Sequence, residues 1–129
     1  MRSSALPVIM LAAAVSACAA SAGTPKQSKP AQACFWTRDV NNFKAADSST
    51  VNIRVGVRDV YQLVLFSSNS DIDWTQHIGI ESRGSDRICS GLDATIIVPG
   101  PIGPQRIPVT SVRKLTPEEV AALPKKARP

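Results

Sequence analysis

The sequence predicts an α+β domain, a small and mostly antiparallel sheet with one or two short helices and one disulfide. Three observations lead there. Residues 50–57, "TVNIRVGV", alternate Val51, Ile53, Val55 and Val57 with Asn52, Arg54 and Gly56, which is the period-two pattern of a half-buried strand. Residues 116–124 carry a helix start and stop: Thr116 and Glu119 at capping-box spacing, Pro117 at the first helical position, and Pro124 as the breaker. Two of the three cysteines, Cys34 and Cys89, lie 55 residues apart in the same region.

The elements follow in chain order. In "FWTRDVNNF" Val40 and Phe43 stand at i and i+3, which predicts one helical turn or a packed loop. The strand at 50–57 comes next, then a tight turn at Arg58 and Asp59. "VYQLVLF", residues 60–66, is apolar on both faces apart from Gln62 and predicts a central strand. Ser70 is placed to cap a short helix with Asp71 and Asp73 in its first turn, where the dipole favours acids, and with Ile72, Thr75 and Ile78 on its buried side. Extended runs are predicted near 78–82, at 87–90 and at 94–98, separated by turn chemistry in "RGSD" and "GLD". "PGPIGPQ" reads as a loop, and 106–115 as a last strand whose first half Pro108 confines to a sheet edge.

Ahead of this domain the chain reads differently. Residues 1–17 have the makeup of an export leader, with Arg2 followed by the 11 apolar residues "ALPVIMLAAAV", too few to span a bilayer, which takes about 20. The leader ends in "VSAC", residues 15–18, which resembles the lipobox of bacterial lipoproteins. That resemblance implies a diacylglycerol on the sulfur of Cys18, cleavage before it and acylation of the new amino group. Small residues at 16 and 17 suit an extended chain in a narrow site, and a thiol is the nucleophile required. Ala19 after the cysteine, rather than Asp, implies outer-membrane sorting and a periplasm-facing domain in a Gram-negative envelope. Residues 18–33 then give the lipidated cysteine and a tether, "AASAGTPKQSKPAQA", with no large apolar side chain to bury. The domain is expected over 34–123, and 124–129, "PKKARP", as a basic tail suited to anionic headgroups.

Loss of Arg2 with the leader takes 15 basic residues to 14 against 10 acids, a net charge of +4. The bases are scattered among acids rather than striped, so no nucleic-acid partner is expected. Export places Cys34 and Cys89 in an oxidising compartment, where two thiols left after the third is lipidated are expected to pair. They show neither C-x-x-C spacing nor a neighbouring base, so a redox or nucleophilic role is the weaker reading.

A wider resemblance rests on "C…V-N-N-F", the strand ending "LVLF", "I-D-W-T-Q-H-I-G" and "ICSGLDATIIV…RIPVTSVRKLTPEE". Over residues 34–119 these are similar to a family of small proteobacterial exported lipoproteins built on a domain of unknown function. Members often carry a second cysteine pair at positions matching Asn69 and Ile107. This chain has neither cysteine, so the helix and the last strand are expected to be linked by packing. The family supplies no established activity.

Candidate chemistry is sparse. His77 with Asp71, Asp73 and Glu81 poses a metal or acid–base reading, and on a helix His77 and Asp73 would share a face. A transition metal wants several His or Cys ligands, and here the cysteines are committed, so no metal and no cofactor are expected. Ser90 near Asp93 lacks a nucleophile elbow and more simply ends a strand. Trp36 and Trp74 are candidates to line a ligand pocket with Asp71, Asp73 and His77, although two tryptophans in a small domain are more simply core. The function expected is that of a membrane-anchored, non-enzymatic interaction or envelope-accessory module with an unknown envelope protein partner. The alternative is a small-ligand or metal-binding periplasmic domain.

Overall fold

A computed structural model describes residues 33–129. The segment read as a leader, Cys18 and the segment read as a tether, up to residue 32, lie outside the described residues. Eight strands follow: β1 (Phe35–Trp36), β2 (Val40–Asp47), β3 (Thr50–Val55), β4 (Asp59–Leu65), β5 (Gly79–Ser82), β6 (Arg87–Ile88), β7 (Ala94–Val98) and β8 (Gln105–Lys114). One helix, α1 (Pro117–Ala122), comes after them, and 3₁₀ turns occupy Thr37–Asp39, Ser70–Asp73, Gly91–Asp93 and Lys125–Ala127. The sheet is thus mostly antiparallel as predicted, and among the described residues the one or two short helices expected come to one α-helix of six residues.

Six strands pair in the order β2-β3-β4-β8-β7-β5, antiparallel at every step, and β1 pairs with β6 as a separate ribbon. Residues of the two outermost strands, Val40 and Phe43 of β2 and Ile80 of β5, line one hollow and pack on the same core. The sheet is therefore curled, with its edges turned toward one another. Inside lie Val51, Ile53 and Val55 from β3, Leu63 and Leu65 from β4, Ile96 and Val98 from β7, and Ile107 and Val109 from β8. Phe35, Ile72 and Ile88, all essentially inaccessible, plug the curl from the connecting segments. Each such side chain contributes roughly 1.5–3 kcal/mol on burial.

The alternation of β3 holds to Val55, and Gly56, at φ 61°, then takes the left-handed conformation that opens the turn to β4. Val57 leaves the predicted stripe and stands in solvent at the tip of that hairpin. The turn or loop expected at 35–43 is instead β1, a 3₁₀ turn and the first half of β2. The i, i+3 spacing of Val40 and Phe43 has a strand explanation: the β2–β3 register shifts between Val40 and Asn42, and the extra residue of such a bulge converts period two into three. The run at 87–90 pairs only through Arg87 and Ile88, whose partners are Trp36 and Phe35. Cys34 and Cys89 flank that ribbon and are bonded to each other, as expected.

Pro108 lies within β8 where the strand changes partner. Residues 105–108 pair with β7 and residues 109–114 with β4, so the proline marks a changeover rather than a plain edge. The helix predicted from Ser70 shortens to one 3₁₀ turn. Its cap is Asn69, not Ser70, with Oδ1 of Asn69 accepting from the Asp71 amide at 2.8 Å. Beyond Trp74 the Thr75 hydroxyl donates to the His77 carbonyl at 2.8 Å, a local bond that competes with further helix. The capping box at α1 is present as predicted, with the Thr116 hydroxyl accepting from Glu119 and the Glu119 carboxylate from Thr116.

Residues 124–129, expected as a tail outside the domain, pack on the outer face of the sheet. Ala127 is buried, and its carbonyl accepts from the Asn52 side chain at 2.8 Å. This explains how a fully buried asparagine is tolerated in β3. Arg54 of the same face donates to the Pro129 carbonyl. Asn52, Gln62 and Arg113 stand opposite one another on β3, β4 and β8, forming a polar row under this segment.

Ser90 does not simply end a strand. It opens the Gly91–Asp93 turn, and the Asp93 carboxylate accepts from the amides of Cys89 at 3.2 Å and Ser90 at 2.9 Å. These bonds hold the Asp93 carboxyl below the usual carboxylate range, and backbone bonds act alike on Glu119, through Thr116, and on Asp47, through Ser49. A carboxyl depressed in the folded state stabilises it when ionised. The contribution is complete above the unfolded value of about 4 and is lost as pH falls through the folded value. The urea midpoint is therefore expected to fall between about pH 4 and 2, and Asp93→Asn to lower it at neutral pH while reducing its acid dependence. A midpoint of wild type and variant running parallel from pH 6 to 2 would contradict this.

Candidate functional site

The five side chains singled out from the sequence do not converge on one pocket. Trp36 sits in β1 beside the disulfide, whereas Asp71 and Asp73 lie in the Ser70–Asp73 turn at the opposite end of the sheet with Trp74 directly after it, and His77 comes back against the start of β2. His77 and Asp73 share no helix face, because the helix that would align them is not formed. Asp73 lines a groove of about 830 Å³ between β2 and the Ile72–Gln76 segment, with Lys44 and Lys126 on its walls. His77 lines the adjoining hollow with Val40, Phe43 and Ile80. Glu81 is engaged by Arg106. Among the described residues no three His, Cys, Asp or Glu side chains gather in a way that could hold a metal ion.

Neither tryptophan is core. Trp36 is 41% exposed and Trp74 is 85% exposed, because the strands already fill the interior with branched aliphatic residues. Trp74 is the more informative of the two. It lines a shallow hollow with Asp71, Pro99, Gly100 and Pro101, and a second hollow, sharing Asp71 and Pro101, is bounded by Ile102 and Pro104. Ile102 at the tip of the β7–β8 loop is fully in solvent. The result is an apolar surface of one tryptophan, one isoleucine and three prolines around one carboxylate, at the end of the sheet formed by the β2–β3 turn, the end of β4 and the β7–β8 loop.

That surface is braced from behind. The Asn69 side chain donates to Gln105 Oε1 at 2.7 Å, Gln105 Nε2 donates to Asp71 Oδ2 at 3.0 Å, and Asn69 Oδ1 accepts from the Asp71 amide. The three residues close a circuit tying the Ser70–Asp73 turn to the start of β8. The link expected from packing alone is thus made by hydrogen bonds, and Asn69 reaches Gln105, two residues ahead of Ile107. A Cβ on Gly100 would meet Gln105 Nε2 at 2.7 Å, so the glycine keeps the loop close to this circuit. Sequence reasoning named Asp71 and Trp74 but missed Gln105, Asn69 as a cap and Ile102. The signal was available in the Pro-Gly-rich loop "PGPIGPQ", whose single isoleucine has no periodic partner.

Such a surface suits recognition. Exposed tryptophan in a preformed, stiff setting is the kind of residue that dominates interfaces. A family model described as a family of unknown function matches residues 1–129. No curated protein and no solved structure matches the chain.

Proposed function

The chain belongs to the DUF6491 family of unknown function, and on that footing we propose that it serves as a lipid-anchored, non-enzymatic interaction module of the bacterial envelope. Acylation at Cys18 tethers it to the outer membrane, the domain faces the periplasm, and the Trp74–Ile102 end binds an envelope protein. The observation that carries the binding part is the exposure of Trp74 and Ile102 on a surface braced by Asn69, Gln105 and Asp71. Leaving two large apolar side chains in water on a braced surface gains nothing for the fold; covering them in a complex recovers their burial energy. The anchoring part is supported by the "VSAC" ending of the leader.

The test places a photocrosslinking residue at Ile102 of the full chain in intact cells. One crosslinked species is expected, and Trp74→Ala is expected to abolish it while moving the melting temperature by no more than about 4 °C, since a surface substitution costs within about 0.5 kcal/mol. Cys18→Ser is expected to release the chain from the membrane fraction. A crosslink unchanged by Trp74→Ala removes the binding part; membrane retention of the Cys18→Ser chain removes the anchor.

A further inference from the structure

We propose that the opposite end of the domain, the one at which Cys34 enters, rests on the anionic surface of the membrane. Trp36 and Val57 lie in the headgroup layer, and Arg38, Arg58 and Arg87 meet lipid phosphates. The proposal rests on the anchored reading above and adds an orientation to it.

A single hollow of about 450 Å³ is lined by Cys34, Trp36, Val57 and Arg58, so the start of the domain and the β3–β4 hairpin tip form one continuous surface. Val57 is 85% exposed at that tip. The Trp36 ring has the Arg38 guanidinium 5.0 Å and the Arg87 guanidinium 5.9 Å from its centre. A guanidinium resting over an indole keeps its N–H edge available for phosphate oxygens, and the indole itself favours the boundary between apolar and wet layers. The acids at this end are Asp39, 3.9 Å from Arg38, Asp59, 3.0 Å from Lys114, Asp86 beside Arg87 in sequence, Asp93, held by the amides of Cys89 and Ser90, and Glu118 and Glu119 in the first turn of α1, the second paired with Arg113. Among the described residues neither Arg58 nor Arg87 has an acidic partner within 4 Å.

The chain geometry points the same way. Cys18 precedes Cys34 by sixteen residues, a span of at most about 55 Å even when fully extended. β8 runs the length of the sheet, ten residues or roughly 33 Å, from the Trp74–Ile102 end to the Cys34 end. An anchor that leaves from the Cys34 end favours contact of that end with the bilayer. The far end carries Asp47, Asp71 and Asp73 against Lys44 and Lys126, a net charge of −1 that does not attract anionic lipid.

The two tryptophans supply the readout. The full chain, recovered with its lipid from bacterial membranes, is reconstituted into vesicles of phosphatidylglycerol and phosphatidylethanolamine with brominated acyl chains. Trp74→Phe leaves Trp36 as the sole tryptophan, and Trp36→Phe leaves Trp74. Trp36 emission is expected to be quenched at least about twofold, as for a ring at the headgroup boundary, and Trp74 emission to be unchanged. Arg58→Glu with Arg87→Glu is expected to abolish the quenching while the chain still floats with the vesicles. Equal quenching of both tryptophans, an unquenched Trp36 in a floating chain, or quenching that survives the charge reversal overturns the proposal. A chain that does not float and has an unmodified Cys18 by mass overturns the anchored reading, and this one falls with it.

Discussion

Breaking the Cys34–Cys89 bridge is expected to lower the unfolding free energy by about 4 kcal/mol, the chain-entropy value for a closed loop of 55 residues. The location makes the loss felt globally. The bridge adjoins a ribbon of only two pairs, Phe35 with Ile88 and Trp36 with Arg87, which has too few hydrogen bonds to persist alone. Phe35 and Ile88 are both core residues, and Phe35 packs its ring 4.8 Å from that of Tyr61. A frayed ribbon therefore withdraws two plugs from the curled sheet. Urea unfolding of the paired Cys34→Ser, Cys89→Ser chain against the oxidised protein measures the effect. A midpoint shift worth under about 1 kcal/mol would show that packing alone holds the ribbon, contrary to the argument.

Gly91→Ala is expected to cost about 3 kcal/mol or more, and Gly91→Val to prevent folding. A Cβ on Gly91 would overlap the carbonyl group of Thr110 and the amide nitrogen of Ser111. Those atoms belong to the backbone of β8, which pairs with β7 through one half and with β4 through the other, so they cannot retreat without breaking a ladder. Overpacking costs of 1–3 kcal/mol apply where neighbours yield; here the neighbour is main chain at the middle of the sheet. A thermal melt followed by circular dichroism checks it. For a domain of this size each kcal/mol lost is roughly 4–8 °C, so the alanine variant should melt at least about 12 °C lower. An unchanged melting temperature would mean that the Gly91–Asp93 turn stands further from β8 than described.

Local rules were readable wherever a residue's fate depends on its immediate neighbours. The alternation of β3, the apolar run of β4 and the extended run of β7 lie within about a residue of where the pattern places them, except that Val57 and Phe66 fall outside their strands. The capping box of α1 is also where it was read, because a cap is a contract between residues three apart. β2 was hidden by its bulges, which scramble the period that strand recognition uses. The Ser70 segment kept its acids, its buried Ile72 and its turn but lost its helix, since one turn cannot outbid local side-chain bonds and the need to enter β5. Of the candidate site, Asp71 and Trp74 were legible as residue types, whereas Gln105 and Ile102 come from a loop that meets them only through the sheet order.

The sequence by itself determined that the domain is a mostly antiparallel sheet, that Cys34 and Cys89 pair, and where α1 begins, because periodicity and capping are short-range statements and counting cysteines needs no geometry. Only the tertiary structure decided that both tryptophans face outward, that residues 124–129 cover Asn52, and that Gly91 must be glycine. Each of these depends on which backbone arrives from far along the chain, and a burial preference assigned to one residue type contains no information about that arrival. The curl of the sheet makes the difference: it fills its interior from the strands, leaves the tryptophans to its two ends, and so sets what each end can touch.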